Sequence, residues 1–187
     1  MKKKNKYSNL PKTWLTLVAF FIMHAGLFAQ SNVNENFLKT VFIEKFAKFT
    51  IWPYREWKTF NIGVLNDKAF FDELSKNYKT RAINGKQVVP FQITELAEIE
   101  KCDVLFVPNE FGTRIAEIAE ICNKNSTLLL SEHKDMCKYG AHINFVLSET
   151  KNIYFEINIQ EAEKANLRFK SKLLESAIIV RNTTIDK

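Results

Sequence analysis

Four short groupings in this sequence hold residue types able to do chemistry. Glu132, His133, Asp135 and Cys137 stand at near-alternate positions. A loop folding them inward would present the carboxylate, imidazole and thiolate donors that zinc takes. The i, i+4 histidine pair of a helical zinc site is missing, and a solvated polar loop explains the same run, so no metal ligand is assigned. Asp67 follows the apolar run Phe60–Leu65, where a doubly wound fold can place a catalytic acid or a phosphate acceptor. The same position suits the N-cap of a following helix, where a short carboxylate accepts a backbone N–H. Asn109-Glu110 closes the apolar run Cys102–Val107 in a similar place, as Asn66 does beside Asp67. Trp52, Tyr54 and Trp57 surround Pro53 and offer either a lid on a core or an aromatic surface for a ligand ring or a partner's helix.

Several common machineries are missing. No G-x-G-x-x-G follows the first apolar run, no G-x-x-x-x-G-K-[ST] occurs, and no G-x-S-x-G marks a nucleophile elbow. No C-x-x-C pair is present. A hydrolase with Asp67 or Glu110 as acid is the weakest reading, and no catalytic residue and no cofactor are assigned.

The elements that would position these residues alternate along the chain. Leu38, Val41, Phe42, Phe46 and Phe49 recur at helical spacing, with Lys39, Glu44, Lys45 and Lys48 on the other side, so a helix runs from Asn36 toward Pro53. Phe60–Leu65, Val88–Ile93, Cys102–Val107 and Thr127–Leu130 read as strands. Phe70–Tyr78 and the stripe Ile115, Ile118, Ala119, Cys122 read as helices between them. Asn84-Gly85 is a turn. Ile143–Leu147 and Ile153–Ile157 flank Thr150-Lys151-Asn152 as a hairpin. Ala162–Leu167 is predicted helical, Leu167–Ser171 a brief strand, and Lys172–Val180 a closing helix. The result is a single three-layer α/β domain: a mostly parallel sheet, helices on both faces, an antiparallel hairpin at one edge. Ligands of such sheets bind beyond the carboxyl ends of the strands, where Asn66-Asp67, Asn109-Glu110 and Ser131-Glu132-His133 lie. Asn144 and Asn158 fall in or at the end of apolar strands, where a buried amide must be hydrogen-bonded. Glu156 faces away from Phe155 and Ile157, with Lys170 or Lys172 as its expected partner. Structural ties and ligand binding are both open for these three.

Composition sets the outer bounds. The chain has 187 residues and a formal net charge of +6. Residues 1–29 hold five lysines and no acid. Without those five, 22 basic residues face 21 acidic ones. A near-neutral body gives no electrostatic footprint for nucleic acid. The leader joins its basic start to a short apolar stretch, Trp14–Ala29, interrupted by His24, which reads as a cleaved export signal rather than a stable membrane span. Residues 30–36 are polar and expected to be a flexible segment, and 37–182 to be the domain. An exported chain with three cysteines, Cys102, Cys122 and Cys137, has at most one internal disulfide. Buried thiols are the plain reading.

Six segments together resemble the YfiR/HmsC-like family of bacterial periplasmic proteins. They are Phe46-Ala47-Lys48-Phe49-Thr50-Ile51-Trp52-Pro53, Ile83-Asn84-Gly85, Cys102–Val107, Gly140-Ala141-His142-Ile143-Asn144-Phe145, Phe155-Glu156-Ile157-Asn158 and Ser171-Lys172-Leu173-Leu174. They span about Phe37 to Val180. The motif residues Gly85, Gly140, Asn144, Phe145, Phe155, Glu156, Asn158, Ser171 and Lys172 are expected to be structural. The resemblance implies a periplasmic regulator without known enzymatic activity. Its characterised kind represses a membrane-bound diguanylate cyclase through that protein's periplasmic region and can dimerise. Related proteins are expected to serve sensor kinases or receptors. The chain departs from the family in its odd cysteine count, since characterised members have disulfides, and in Ala141-His142. A soluble small-ligand carrier is the second reading.

Overall fold

The structure, a computed structural model, describes residues 29–54, 56, 58–147 and 153–181. The leader, Trp57, and the Thr150-Lys151-Asn152 loop lie outside the described residues. Ten strands and five α-helices follow in order: α1 (Ala29–Phe49), β1 (Thr50–Ile51), β2 (Phe60–Leu65), α2 (Lys68–Tyr78), β3 (Ala82–Ile83), β4 (Lys86–Ile93), β5 (Val104–Val107), α3 (Ile115–Asn125), β6 (Leu128–Ser131), β7 (Ile143–Leu147), β8 (Ile153–Asn158), α4 (Ile159–Lys164), β9 (Arg168–Phe169), α5 (Ser171–Leu174) and β10 (Ile178–Val180). Three 3₁₀ turns, Leu96–Lys101, Asn109–Arg114 and Met136–Lys138, fill the connections.

Eight strands form the main sheet in the order β10-β8-β7-β6-β5-β2-β4-β3. β4, β2, β5, β6 and β7 are mutually parallel. β8 pairs antiparallel with β7, from Ile143↔Ile157 to Leu147↔Ile153, as the expected hairpin, with β10 lying outside it at the edge. β3 is antiparallel to β4 at the other edge. The central strands are apolar at nearly every position because both faces are covered. All four residues of β5 and all four of β6 are buried. One face packs Ile62, Val64, Val104, Phe106, Leu130 and Phe145 against α1, α2, α4 and α5. The other packs Leu65, Leu105, Val107 and Leu129 against α3 and the three 3₁₀ turns. The two layers of helix around one sheet are the predicted architecture.

Three local expectations are corrected. The first concerns α1. Its buried residues are Lys39, Thr40, Ile43, Phe46 and Ala47, while Leu38 and Val41 are exposed at 37% and 41%. The face is turned because Lys39 has an acidic partner across the molecule and the Tyr78 hydroxyl donates to the Thr40 carbonyl at 3.0 Å. Glu44's charge, after burial itself, holds that phenol above its usual range. The helix also starts at Ala29, so residues 30–36 are helical where their polarity predicts a loose segment. It stops at Phe49, and the chain before Pro53 is extended as β1, pairing with β9 through Thr50↔Phe169, as the restriction on residues preceding proline requires.

The second is Lys172–Val180, predicted as one helix. Only Ser171–Leu174 is helical, and Ile178–Val180 forms β10, parallel to β8 with Ile178↔Glu156. Three β-branched residues prefer the pleated surface of an open sheet edge to another helical turn. The third is Ala162–Leu167. The helix there is Ile159–Lys164, set by Asn158 as N-cap, and the brief strand after it is only Arg168–Phe169.

The Asn84-Gly85 turn is as expected. Both residues have positive φ, 50° and 75°, as a two-residue hairpin turn demands. Gly140, at φ 123°, cannot be replaced cheaply either: a Cβ there would lie 2.7 Å from the Ala119 Cβ.

Candidate functional site

The carboxyl ends of β5, β6 and β7 open into a cleft beside the turn Met136–Lys138. Its larger lobe is a cavity of about 620 Å³ reached by Asn109, Glu132, His133, Asn144 and Glu156, with Val146 and Leu147 as apolar wall. A smaller lobe of about 230 Å³ continues toward Glu35 and Lys39. Both volumes share Asn109, Glu132, Phe145 and Leu147, so they form one depression. Its place is where open α/β sheets bind ligands.

Glu132, the first residue past β6, holds the cleft's two lobes together. Its Oε2 accepts from the Lys39 ammonium, and its Oε1 accepts from the Asn109 backbone N–H at 3.3 Å. Lys39 also reaches Glu35 one helical turn earlier at 2.7 Å. Burial alone would lower the Lys39 pKa, but the charge of Glu132 and the hydrogen bonds to Glu132 and Glu35 outweigh it and hold the ammonium above the ordinary lysine range. The helix α1 is thereby latched to the end of the sheet.

The floor of the larger lobe is made by a pair on neighbouring strands. Asn144 (β7) and Glu156 (β8) are directly opposed in the antiparallel register. The Asn144 Nδ2 donates to Glu156 Oε2 at 3.1 Å. Asn144 is fully buried, and its Oδ1 has no hydrogen-bond partner. An unmet buried carbonyl costs about 1–3 kcal/mol. Asp135, at positive φ, is bonded by the Lys138 ammonium at 2.7 Å. That hydrogen bond holds the Asp135 carboxyl below its usual range and the Lys138 ammonium above its own.

Beneath the cleft, His142 joins β6 to β7 with its ring. The Leu129 N–H donates to Nδ1 at 3.1 Å, and Nε2 faces Asn123 Oδ1 at 3.0 Å. This pairing sets the tautomer with the proton on Nε2. Complete burial, with a smaller contribution from the Lys164 charge, pulls the imidazole down to about 3. The departure from the family at Ala141-His142 is therefore a structural tie, with both residues buried.

The other predicted residues are placed as follows. Asp67 is the N-cap of α2, its Oδ1 accepting from the Phe70 N–H at 2.9 Å. Asn66 takes positive φ and its N–H donates to the Ile93 carbonyl. Neither is brought to the cleft. Glu110 is exposed in its 3₁₀ turn. Asn158 caps α4 and its Nδ2 donates to the Cys137 carbonyl at 2.7 Å. Phe145 and Phe155 close on Phe46 with ring centroids 5.5 and 4.9 Å away. Ser171 opens α5 and Lys172 is exposed. The partner of Glu156 is Asn144, not Lys170 or Lys172: the Lys170 ammonium bonds the Lys48 carbonyl and lies over the Phe49 ring.

The grouping Glu132, His133, Asp135, Cys137 does not converge, and among the described residues no set of three such side chains could hold a metal. Cys102, Cys122 and Cys137 are all buried and unbridged. Burial first, then Asp103, pushes the Cys102 thiol up to about 12, so it is a packing group rather than a nucleophile.

The aromatic cluster divides. Trp52 is half-buried, its Nε1–H donating to the Ala47 carbonyl at 3.2 Å and its ring edge-on to Phe60 at 5.7 Å. Tyr54 is 92% exposed. Trp52→Ala is expected to cost about 2 kcal/mol, less than the about 3–5 of a fully buried aromatic. Tyr54→Ala should stay within about 0.5. Urea midpoints of the two variants check this, and equal shifts would contradict it.

Lys39 and Glu132 are the cleft residues that sequence reasoning missed as a pair. Glu132 is among the strand-end residues, but the hydropathy pattern puts Lys39 on the solvent side of its helix. Only its spacing with the buried Thr40, Ile43 and Ala47 could have signalled otherwise.

No protein of curated function matches the chain. Among solved structures, a conserved domain protein from Vibrio cholerae O1 biovar El Tor aligns at 14% identity and TM-score 0.49, covering 64% of this chain and 54% of its own. A ligand-free, open substrate-binding protein with adhesive properties from Clostridium difficile aligns at 18% and 0.48, covering 67% and 56%. An ABC domain in complex with L-Trp from Streptococcus pneumoniae aligns at 14% and 0.46, covering 65% and 55%. The chain thus spans little more than half the length of each. Among the described residues no helix is long and apolar enough to cross a membrane. The model of the YfiR/HmsC-like family matches residues 36–178, and the chain belongs to that family of periplasmic regulators.

Proposed function

We propose that this chain is a non-enzymatic periplasmic regulator. It binds the periplasmic region of a membrane-bound signalling protein, a diguanylate cyclase or a sensor kinase, and holds it repressed, with a small ligand in the sheet-end cleft as the gate. The observation that carries the reading is the latch of α1 onto Glu132 at the mouth of that cleft. It is an arrangement in which charged groups are committed to one another and to a helix position, as a binding site that moves an element requires. Asp67, the best acid candidate by sequence, is occupied as a helix cap. The exposed Tyr54 beside the anchored Trp52 supplies a partner surface, to which we add Trp57. Self-association is part of the same proposal.

The test is signalling output, such as cyclic di-GMP level or kinase activity, in a deletion strain. Deletion should raise it and the wild-type chain restore it. The Tyr54→Ala/Trp57→Ala variant should restore repression at least about tenfold less well, the loss of one aromatic anchor of 2 kcal/mol or so, while the folded protein accumulates normally. Output unchanged on deletion, together with substrate turnover by the purified protein, would overturn the reading.

The second reading is a soluble carrier of a small ligand. The cleft volume favours it, since about 620 Å³ suits one small organic molecule. Release of a bound ligand to a permease, with signalling indifferent to deletion, would select it.

A further inference from the structure

We infer that the larger lobe of the cleft is a receptor site for a small organic cation, a primary ammonium or guanidinium on a short alkyl stem. The inference rests on the cleft as the ligand site and not on which membrane protein the chain regulates.

Three independent observations converge. The first is charge. Of the carboxylates reaching the lobe, Glu132 is paired with Lys39, which it shares with Glu35, and Asp135 is paired with Lys138. Glu156 accepts from Asn144 and, among the described residues, forms no ion pair. Glu156 thus faces the cavity without a direct ion pair, its charge felt by Lys138 only at longer range. The exposed Lys134 is the lysine in the lining, beside the His133 imidazole.

The second is the Asn144 carbonyl. The donor end of this amide is committed to Glu156, which leaves Oδ1 as an acceptor without a donor in a fully buried side chain on the cavity floor. A carboxylate and an unmet carbonyl on neighbouring strands are complementary to a group that brings several N–H bonds and a positive charge. An anionic ligand would meet Glu156 as a like charge and would leave Oδ1 unmet.

The third is shape. Val146 and Leu147 give the lobe an apolar side, which suits the methylene stem of an alkylamine, and the volume suits a molecule of that size rather than a bare ion. The uncharged edge residues also separate this ligand from a metal cation, for which the lining supplies no convergent set.

The test is calorimetric titration of the purified mature chain with agmatine, spermidine and, as the opposite charge, glutarate. Agmatine or spermidine should bind with a dissociation constant of about 1 mM or tighter, and glutarate should not bind. Glu156→Gln keeps the shape and the bond to Asn144 while removing the charge, and should weaken the cation at least about tenfold with little change in melting temperature. Lys134→Glu touches neither floor residue and should strengthen it severalfold. If Glu156→Gln fails to fold, Lys134→Glu alone decides the sign. No binding of either amine, equal binding of glutarate, or indifference to both substitutions overturns the inference. Tighter binding of a blocked arginine tripeptide than of agmatine overturns the small-molecule assignment and moves the cation to a partner's side chain. These are measurements on the isolated protein, so their failure leaves the regulatory proposal standing, and a silent deletion strain leaves the cation site standing.

Discussion

Acidification from pH 7 to 4 should cost this protein about 3 kcal/mol through one side chain, His142. Unfolded, its imidazole takes a proton as the pH falls through 6.5; folded, it resists until about 3. Between those values the unfolded chain binds more protons, so stability falls with falling pH at up to about 1.4 kcal/mol per unit, and the contribution is complete above 6.5. The physical cause is full burial, with both ring nitrogens engaged to Leu129 and Asn123. A proton on Nδ1 would break the bond from the Leu129 N–H and bury a charge. The comparison to make is wild type against His142→Ala across that range, since carboxylates common to both cancel. At neutral pH the variant should be about 3 kcal/mol less stable, from lost hydrogen bonds and the cavity left. Toward pH 4 the two curves should converge. Parallel curves would show an imidazole that titrates normally.

Removing Lys39 should be nearly as damaging. Lys39→Leu leaves Glu132 and Glu35 converging on one position without their cation. Breaking a buried pair typically costs about 3–5 kcal/mol. Glu132 retains 20% side-chain exposure, which places this loss near the lower end, about 3. Glu132→Gln should cost less, because its amide can still accept from the Asn109 N–H. The Lys39→Leu/Glu132→Gln double variant should recover part of the single loss, since no uncompensated charge remains from the pair. Denaturant midpoints of the four proteins give the coupling. A coupling near zero would mean that the latch is formed in name only and that α1 is held by its apolar face alone.

Much of this fold was legible because its periodicities are local. Phe60–Leu65 and Ile143–Leu147 match the observed strands, since a short apolar run bounded by turn residues has few other uses. Asp67 and Asn158 behave as short polar side chains beside helix starts do. Lys39 was not legible. Its partner is 93 residues away, and a hydropathy pattern assigns any lysine to water. Lys172–Val180 misled for a related reason: its spacing suits a helix, but Ile178–Val180 found a free edge beside β8 that only the assembled sheet provides. At the cleft, the strand ends and the motif residues Asn144 and Glu156 were on the page. That these two oppose each other, and that one amide oxygen stays unmet between them, follows from register and packing, which no residue spacing encodes.

The clamp of the first helix onto the last third of the chain also bears on the order of folding. Phe42 and Phe46 pack on Phe145 and Phe155, β1 pairs with β9, and Lys48 is met by Lys170, 122 residues on. Every one of these contacts closes a long loop, and such contacts form late and slowly. During synthesis α1 therefore has α2 to pack on, through Tyr78, but lacks its aromatic partners until the β7–β8 hairpin exists. Until then the Phe42 and Phe46 rings that later meet Phe145 and Phe155 stay uncovered, and this is the stage at which the chain depends most on a chaperone.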